Sequence, residues 1–370
     1  MAKILVTGGA GFIGSFIVDE LVKKGHFVRI FDSLEPQVHF GNVPAYLNKN
    51  AEFIKGDVND YGALQNALKD IEVVFHKAAL VGVGQSMYDI KRYVKENTLG
   101  TAMLLDILAN KNHDVKKLVV ASSMSTYGEG SYKCEKCGIV EPKLRQEEQM
   151  AKQDWELHCQ NCNNHLKPIP TSESKKQDIN STYALTKKDQ EDLCLMIGKS
   201  YSIPTVALRY FNVYGPRQSL SNPYTGVAAI FMSRIKNGNM PVIYEDGMQS
   251  RDFVSVHDIV QANILSMEKN SANYEVFNVG TGRAITIKAV AETLAKIYGR
   301  DIKPEITFRF RKGDVRHCFS DILKIKNKLG YMPKVSFEEG MKELIDWSKN
   351  EKAIDKFESA SQELKKHGLV

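Results

Sequence analysis

Apolar and polar positions follow two periods along the first 120 residues. Short β-branched runs at 4–7, 27–31, 52–55, 73–76 and 117–121 predict strands. The stretches between them at 12–24, 61–69 and 89–110 carry helical amphipathic spacing. Strands joined by helices mean βαβ units and a parallel sheet with helices on its faces, an α/β doubly wound class. The pattern resumes with a helix at 182–201 and strands at 205–210 and 276–279. Helical segments at 226–236, 287–298 and 337–349 lie among Gly- and Pro-punctuated stretches and predict a second, smaller lobe. The charged tail at 351–370 is expected to end in a surface helix or to fray.

One stretch breaks the rhythm. Residues 131–178 are rich in Lys, Glu and Gln and show no sheet periodicity. An unstructured loop of that length is unusual in a compact domain, so the segment reads as an insertion. The expected division is a dinucleotide-binding domain from 1–130, 179–215 and 250–285, the insertion at 131–178, and a substrate lobe from 216–249 and 286–370.

Composition narrows the function classes. No run approaches the roughly 18 apolar residues of a membrane span. The chain enters its first strand without a charged n-region, apolar h-region or cleavage site, so a cytoplasmic protein is expected. The net charge of +6 is mild for 370 residues. Within 131–178, eight Lys plus Arg balance eight Asp plus Glu. A neutral module gains no counterion-release term, so no nucleic-acid partner is expected.

The chemistry begins with Gly8, Gly11 and Gly14 in Thr-Gly-Gly-Ala-Gly-Phe-Ile-Gly, directly after the first strand and opening the first helix. Glycine permits the tight turn and close approach of a pyrophosphate, and the helix N-terminus offers free N–H groups. Asp32 ends the second strand, where a carboxylate accepts both ribose hydroxyls and repels a 2′-phosphate. That favours NAD over NADP. Asp57 follows the third strand and either meets the adenine amine or is a plain turn residue. Tyr183 and Lys187 lie one helical turn apart on one face. A neighbouring ammonium lowers a phenol's pKa, so the pair is expected to make a base. The spacing is common by chance, but here it joins Ser122 and Ser123 at a strand end.

With these residues in view, the chain resembles the extended short-chain dehydrogenase/reductases, the nucleotide-sugar epimerases and dehydratases. The matching motifs run in the family's order. They are the glycine turn, Asn-Thr-Leu-Gly-Thr at 97–101, Ser-Ser-Met-Ser-Thr-Tyr-Gly at 122–128, Tyr-x-x-x-Lys, Leu-Arg-Tyr-Phe-Asn-Val-Tyr-Gly-Pro-Arg at 208–217, Ser-Arg-Asp-Phe-Val at 250–254 and Asn-Val-Gly-Thr-Gly at 278–282. The resemblance implies a Rossmann-type sheet and a catalytic set of Ser123, Tyr183 and Lys187. It implies that Phe12, Ile13, Val58, Ala78, Ala79, Asn97, Ser122 and Tyr210 join the glycines and the two aspartates around NAD. It places Asn212, Arg251 and Arg316 near the nucleotide sugar, with Ser123 and Tyr183, and implies a homodimer through two sheet-flanking helices.

Related dehydratases carry an Asp-Glu pair after the catalytic hydroxyl, decarboxylases a Glu, and certain epimerase-reductases a Cys. Met124 and Ser125 stand there instead. What remains is C4 epimerisation. The resemblance, through the Cys-containing insertion and Ser-Asn-Pro-Tyr-Thr-Gly-Val-Ala-Ala-Ile-Phe at 221–231, implies dTDP-L-rhamnose as the favoured substrate, with UDP-glucose or a UDP-hexuronate as the alternatives. A protein that merely senses dinucleotide needs the glycines and Asp32, but not Ser123, Tyr183 and Lys187 together.

Cys134-x-x-Cys137 and Cys159-x-x-Cys162, with 21 residues between the pairs, have the spacing of a four-cysteine zinc ribbon. A structural zinc would order a segment expected to be too polar to build a core. A redox disulfide pair or idle thiols are the alternatives. Cys194 and Cys318 lack partners at metal spacing and are expected to be buried.

Overall fold

The computed structural model describes residues 1–370. Seven strands, Lys3–Thr7, Phe27–Asp32, Glu52–Lys55, Val73–His76, Lys117–Ser123, Thr205–Tyr210 and Glu275–Val279, form one sheet. Numbered in chain order they lie 7-6-5-4-1-2-3, and every pair is parallel. The order reverses between the first and fourth strands. A crevice opens there, beyond the strands' carboxyl ends, and it is the general ligand position in such sheets. The central strands are continuous apolar runs because both faces are covered. Ile4, Val6, Phe75 and Val119 pack with Ile17, Val18 and Leu21 of the helix Phe12–Lys23 on one side. Leu5, Val74, Leu118 and Val120 pack with Leu104 and Leu108 of the helix Gly100–Asn110 on the other.

A second core holds the C-terminal part, where helices Val227–Lys236, Ile287–Tyr298 and Phe337–Ser348 bury Met232, Leu294 and Leu344 together. The tail does not fray. Helix Phe357–Lys366 buries Ala360 and Leu364, and Asp355 and Glu358 bond Arg234. The long helix expected at 89–110 is continuous but carries a π-helical turn at Val94–Leu99.

The insertion differs most from expectation. It forms a three-stranded antiparallel sheet from Gly138–Val140, Ser131–Cys134 and Lys167–Ile169. Its strands are too short for alternation to register. It also builds a small core, with Tyr132, Leu157 and Leu166 buried beside Cys134 and Cys159.

Candidate active site and cysteine cluster

A cavity of about 450 Å³ lies at the switch point, within the range of small-molecule sites. Gly8, Gly11, Phe12, Ile13 and Gly14 line one end. Gly8 has φ +68°, and a Cβ there would stand 2.8 Å from the Ala78 nitrogen. A Cβ on Gly14 would meet the Gly8 oxygen at 2.1 Å. No side chain caps the helix that starts at Phe12, so its first amides are free for an anion. The turn thus has the cradle that a pyrophosphate requires.

Asp32 lines the same end, and its carboxylate is held by the amides of Ala10 at 3.0 Å and Leu34 at 2.8 Å. Asp57, Val58, Ala78, Ala79, Ser122 and Tyr210 also line the cavity. The Ser122 hydroxyl is already given to Glu191 at 2.6 Å, and the Tyr210 hydroxyl to Asn263 at 3.0 Å. Asn97 does not line it. The π turn aims its amide at Leu80, accepting from the nitrogen at 2.7 Å and donating to the oxygen at 3.1 Å. Asn97 therefore fixes the loop after Ala79.

Ser123, Tyr183 and Lys187 meet at the other end. The Ser123 Oγ accepts from the Ser125 amide at 3.1 Å and the Ser125 hydroxyl at 2.9 Å. Ser181 caps the helix Thr182–Ser200, which sets Tyr183 and Lys187 in its first turns. The Tyr183 amide donates to Ser86 at 3.0 Å. Lys187 donates to Gln190 at 2.7 Å. The expected lowering of the phenol by Lys187 is not what the unliganded cavity gives. Burial raises the Tyr183 pKa, with Ser123 opposing, and burial brings the Lys187 ammonium down to about 7.

Of the three residues assigned to the nucleotide sugar, Asn212 lines the cavity and its Oδ1 is without a partner. Arg251 and Arg316 are not on the cavity wall. Arg251 donates to the oxygens of Ser250, Val315 and Arg316. Arg316 is 1 % exposed and bonds Glu156 at 2.6 Å, Asp246 at 2.7 Å and Glu245 at 3.0 Å. The Arg316 guanidinium is saturated by the chain itself, and both terminal nitrogens of Arg251 are taken.

Comparison with known proteins fits this geometry. Residues 4–280 match the model of the NAD dependent epimerase/dehydratase family. The chain belongs to that family. It is 35% identical to a dTDP-L-rhamnose 4-epimerase of Burkholderia thailandensis, with 93% of this chain and 94% of the relative covered. A Thermotoga maritima UDP-glucose 4-epimerase solved with UDP-glucose superposes with TM-score 0.76 at 35% identity, over 94% and 98% of the two chains. A Bacillus cereus UDP-glucuronic acid 4-epimerase, solved with UDP-glucuronic acid and NAD, gives 0.77 at 29% identity over 94% and 99%.

Within this family member, the insertion brings Cys134, Cys137, Cys159 and Cys162 together, their sulfurs all within 4.8 Å of one another. Tetrahedral thiolates at Zn–S distances of 2.3 Å lie about 3.8 Å apart, so the cluster has the right scale. Cys194 and Cys318 are buried and separate. Sequence reasoning gave no role to Gln218, buried on the cavity wall with its Oε1 without a partner, or to Lys77. The signal for Lys77 is a charge at the end of the apolar run Val-Val-Phe-His. No helix is long and apolar enough to cross a membrane.

Proposed function

We propose that this chain is a nucleotide-sugar 4-epimerase that interconverts dTDP-L-rhamnose and dTDP-6-deoxy-L-talose. The observation that carries it is the pairing of Ser123, Tyr183 and Lys187 with a neighbouring wall that offers no carboxylate. The carboxylates lining the cavity are Asp32, Glu35, Asp57 and Glu96. Asp32 ends the second strand, Asp57 follows the third, and Glu96 bonds Asn59 beside Asp57. Met124 and Ser125 occupy the wall next to Ser123. A dehydration needs a group to move protons at the neighbouring carbons, and this wall offers none.

The glycine turn and the Phe12 helix would hold the pyrophosphate of NAD, and Asp32 its adenosine ribose. When bound, NAD supplies an acceptor for the C4 hydride and returns that hydride to the other face of the sugar. The chain's own work is proton handling and positioning. Tyr183 takes the C4 hydroxyl proton as the carbonyl forms and gives it back as the carbonyl is reduced. Ser123 donates a hydrogen bond to the same sugar oxygen. Lys187, in its charged form, stabilises the phenolate. Asn212 and Gln218 each present a carbonyl oxygen without a partner to substrate hydroxyls or amides.

The 6-deoxy substrate is supported by the relative from Burkholderia thailandensis and by the apolar side chains Val81, Val83, Met124 and Tyr224 on the cavity wall. No arginine lines the cavity to receive a hexuronate carboxylate. UDP-glucose is the second reading, favoured by the equally identical Thermotoga maritima enzyme. Incubating purified protein with dTDP-L-rhamnose, UDP-glucose and UDP-glucuronate separately, with anion-exchange analysis of products, tests the choice. Conversion of UDP-glucose alone would overturn the rhamnose assignment.

The same reading assigns one structural zinc to the four cysteines, which close a tetrahedral sphere and leave no position for substrate. Elemental analysis should find about one zinc per chain, and less than about one-tenth would reject it. A homodimer is supported by exposed Ile90, Val94, Leu185 and Met196 on two helical segments that pack together. Light scattering at the mass of one chain would remove it.

A further inference from the structure

Lys77 follows the fourth strand and lines the cavity, and nothing above gives it a task. Its backbone abuts the glycine turn, since a Cβ on Gly8 would lie 2.9 Å from the Lys77 carbonyl carbon. Its Nζ donates to the Val119 oxygen at 3.2 Å and stands 5.6 Å from the ring centroids of both Phe75 and Tyr210. The charge that reaches it is that of Lys187, the nearby Cys194 thiol being kept neutral by burial, and no carboxylate pairs with it. Burial and Lys187 hold its ammonium well below the usual lysine range. A lysine placed among aromatic rings without a counter-ion weakens the fold, so a charge-bearing occupant of the cavity is what such an amine suits.

The dinucleotide changes charge during the reaction. Its pyrophosphate carries two negative charges throughout, while the nicotinamide is a cation when oxidised and neutral when reduced. The reduced form is therefore one unit more negative. A negatively charged occupant favours the protonated form of the half-buried Lys77 amine, and that ammonium in turn favours the more negative, reduced form.

We propose that Lys77 is a cofactor-binding cation that tightens the reduced dinucleotide more than the oxidised one. Resting on the NAD reading of the same cavity, this gives the chain a means of retaining reduced cofactor while the 4-keto sugar turns. The side chain acts through charge, so its effect belongs to the ratio of two affinities rather than to either alone.

The test uses the full chain freed of cofactor, with NAD+ and NADH affinities measured by calorimetry at pH 7 for wild type, Lys77→Met and Lys77→Gln. Removing the amine should raise the ratio of the NADH to the NAD+ dissociation constant roughly tenfold, the scale of one charge about 10 Å away at an effective dielectric near 20. A ratio within twofold of wild type, or equal loss of both affinities, would overturn the proposal. Wild type that binds neither form would instead overturn the cofactor reading. Methionine suits the apolar surroundings, and a melting temperature at or above wild type certifies the fold. Should that variant misfold, the glutamine variant carries the same ratio test.

Discussion

Replacing Lys187 with Met should make the unliganded protein more heat-stable while removing its activity. Lys187 is 4 % exposed, its ammonium is bonded to Gln190, and burial brings its pKa to about 7. In the unfolded chain the same side chain titrates near 10.4. The unfolded state thus binds the proton more readily, so this group's contribution to stability rises with pH between about 7 and 10.4. Its penalty is complete below pH 7. At pH 7 the difference amounts to about 4 kcal/mol against the fold. The variant leaves the buried Gln190 oxygen without its partner, a cost of about 1–3 kcal/mol, so the net gain is about 1–3 kcal/mol. Calorimetry of cofactor-free protein should show Lys187→Met melting several degrees higher at pH 7. The wild-type melting temperature should also climb more steeply than the variant's from pH 7 to 9. A variant that melts at or below wild type, with an unchanged pH slope, would refute the claim that this lysine is held against its preferred charge.

Three further outcomes follow from the same geometry. Tyr183→Phe should lower kcat by roughly 10²-fold or more with NAD retained, and near-wild-type turnover would remove the phenol from proton transfer. Asp32→Asn removes the charge that the Ala10 and Leu34 amides hold at the cavity wall, so NADP affinity should rise relative to NAD by fluorescence titration. Arg145 forms a two-bond pair with Glu245, at 2.8 and 2.9 Å, joining the insertion to the C-terminal part. Arg145→Ala leaves that buried carboxylate short of a partner and should destabilise by about 3–5 kcal/mol, read by denaturant titration, with NAD binding preserved.

The parallel sheet was legible because its central strands are buried on both faces and read as uninterrupted apolar runs bounded by glycine and charge. The glycine turn, Asp32, Tyr183 and Lys187 were legible because their spacing in sequence is nearly their spacing in space. The hydrogen-bond partners of Asn97, Arg251 and Arg316 were not legible, since most of them lie well away along the chain. Leu80 takes Asn97, carbonyls at 315–316 take Arg251, and Glu156, Glu245 and Asp246 take Arg316. The insertion's sheet was hidden by strand length, and the tail's docking by its reliance on Arg234, more than 100 residues earlier. The Tyr183–Lys187 spacing suggested a phenol lowered by its neighbour. Burial, which spacing does not report, raises the phenol and lowers the ammonium.

The central claim is that hydride leaves C4 and returns to C4, with Tyr183 moving only the hydroxyl proton. Converting dTDP-L-rhamnose in D2O and reading the product by proton NMR tests this directly. The account predicts inversion at C4 with no deuterium at any sugar carbon and no net change in NADH absorbance. Deuterium at C3, C4 or C5, or a product unchanged at C4, would contradict it.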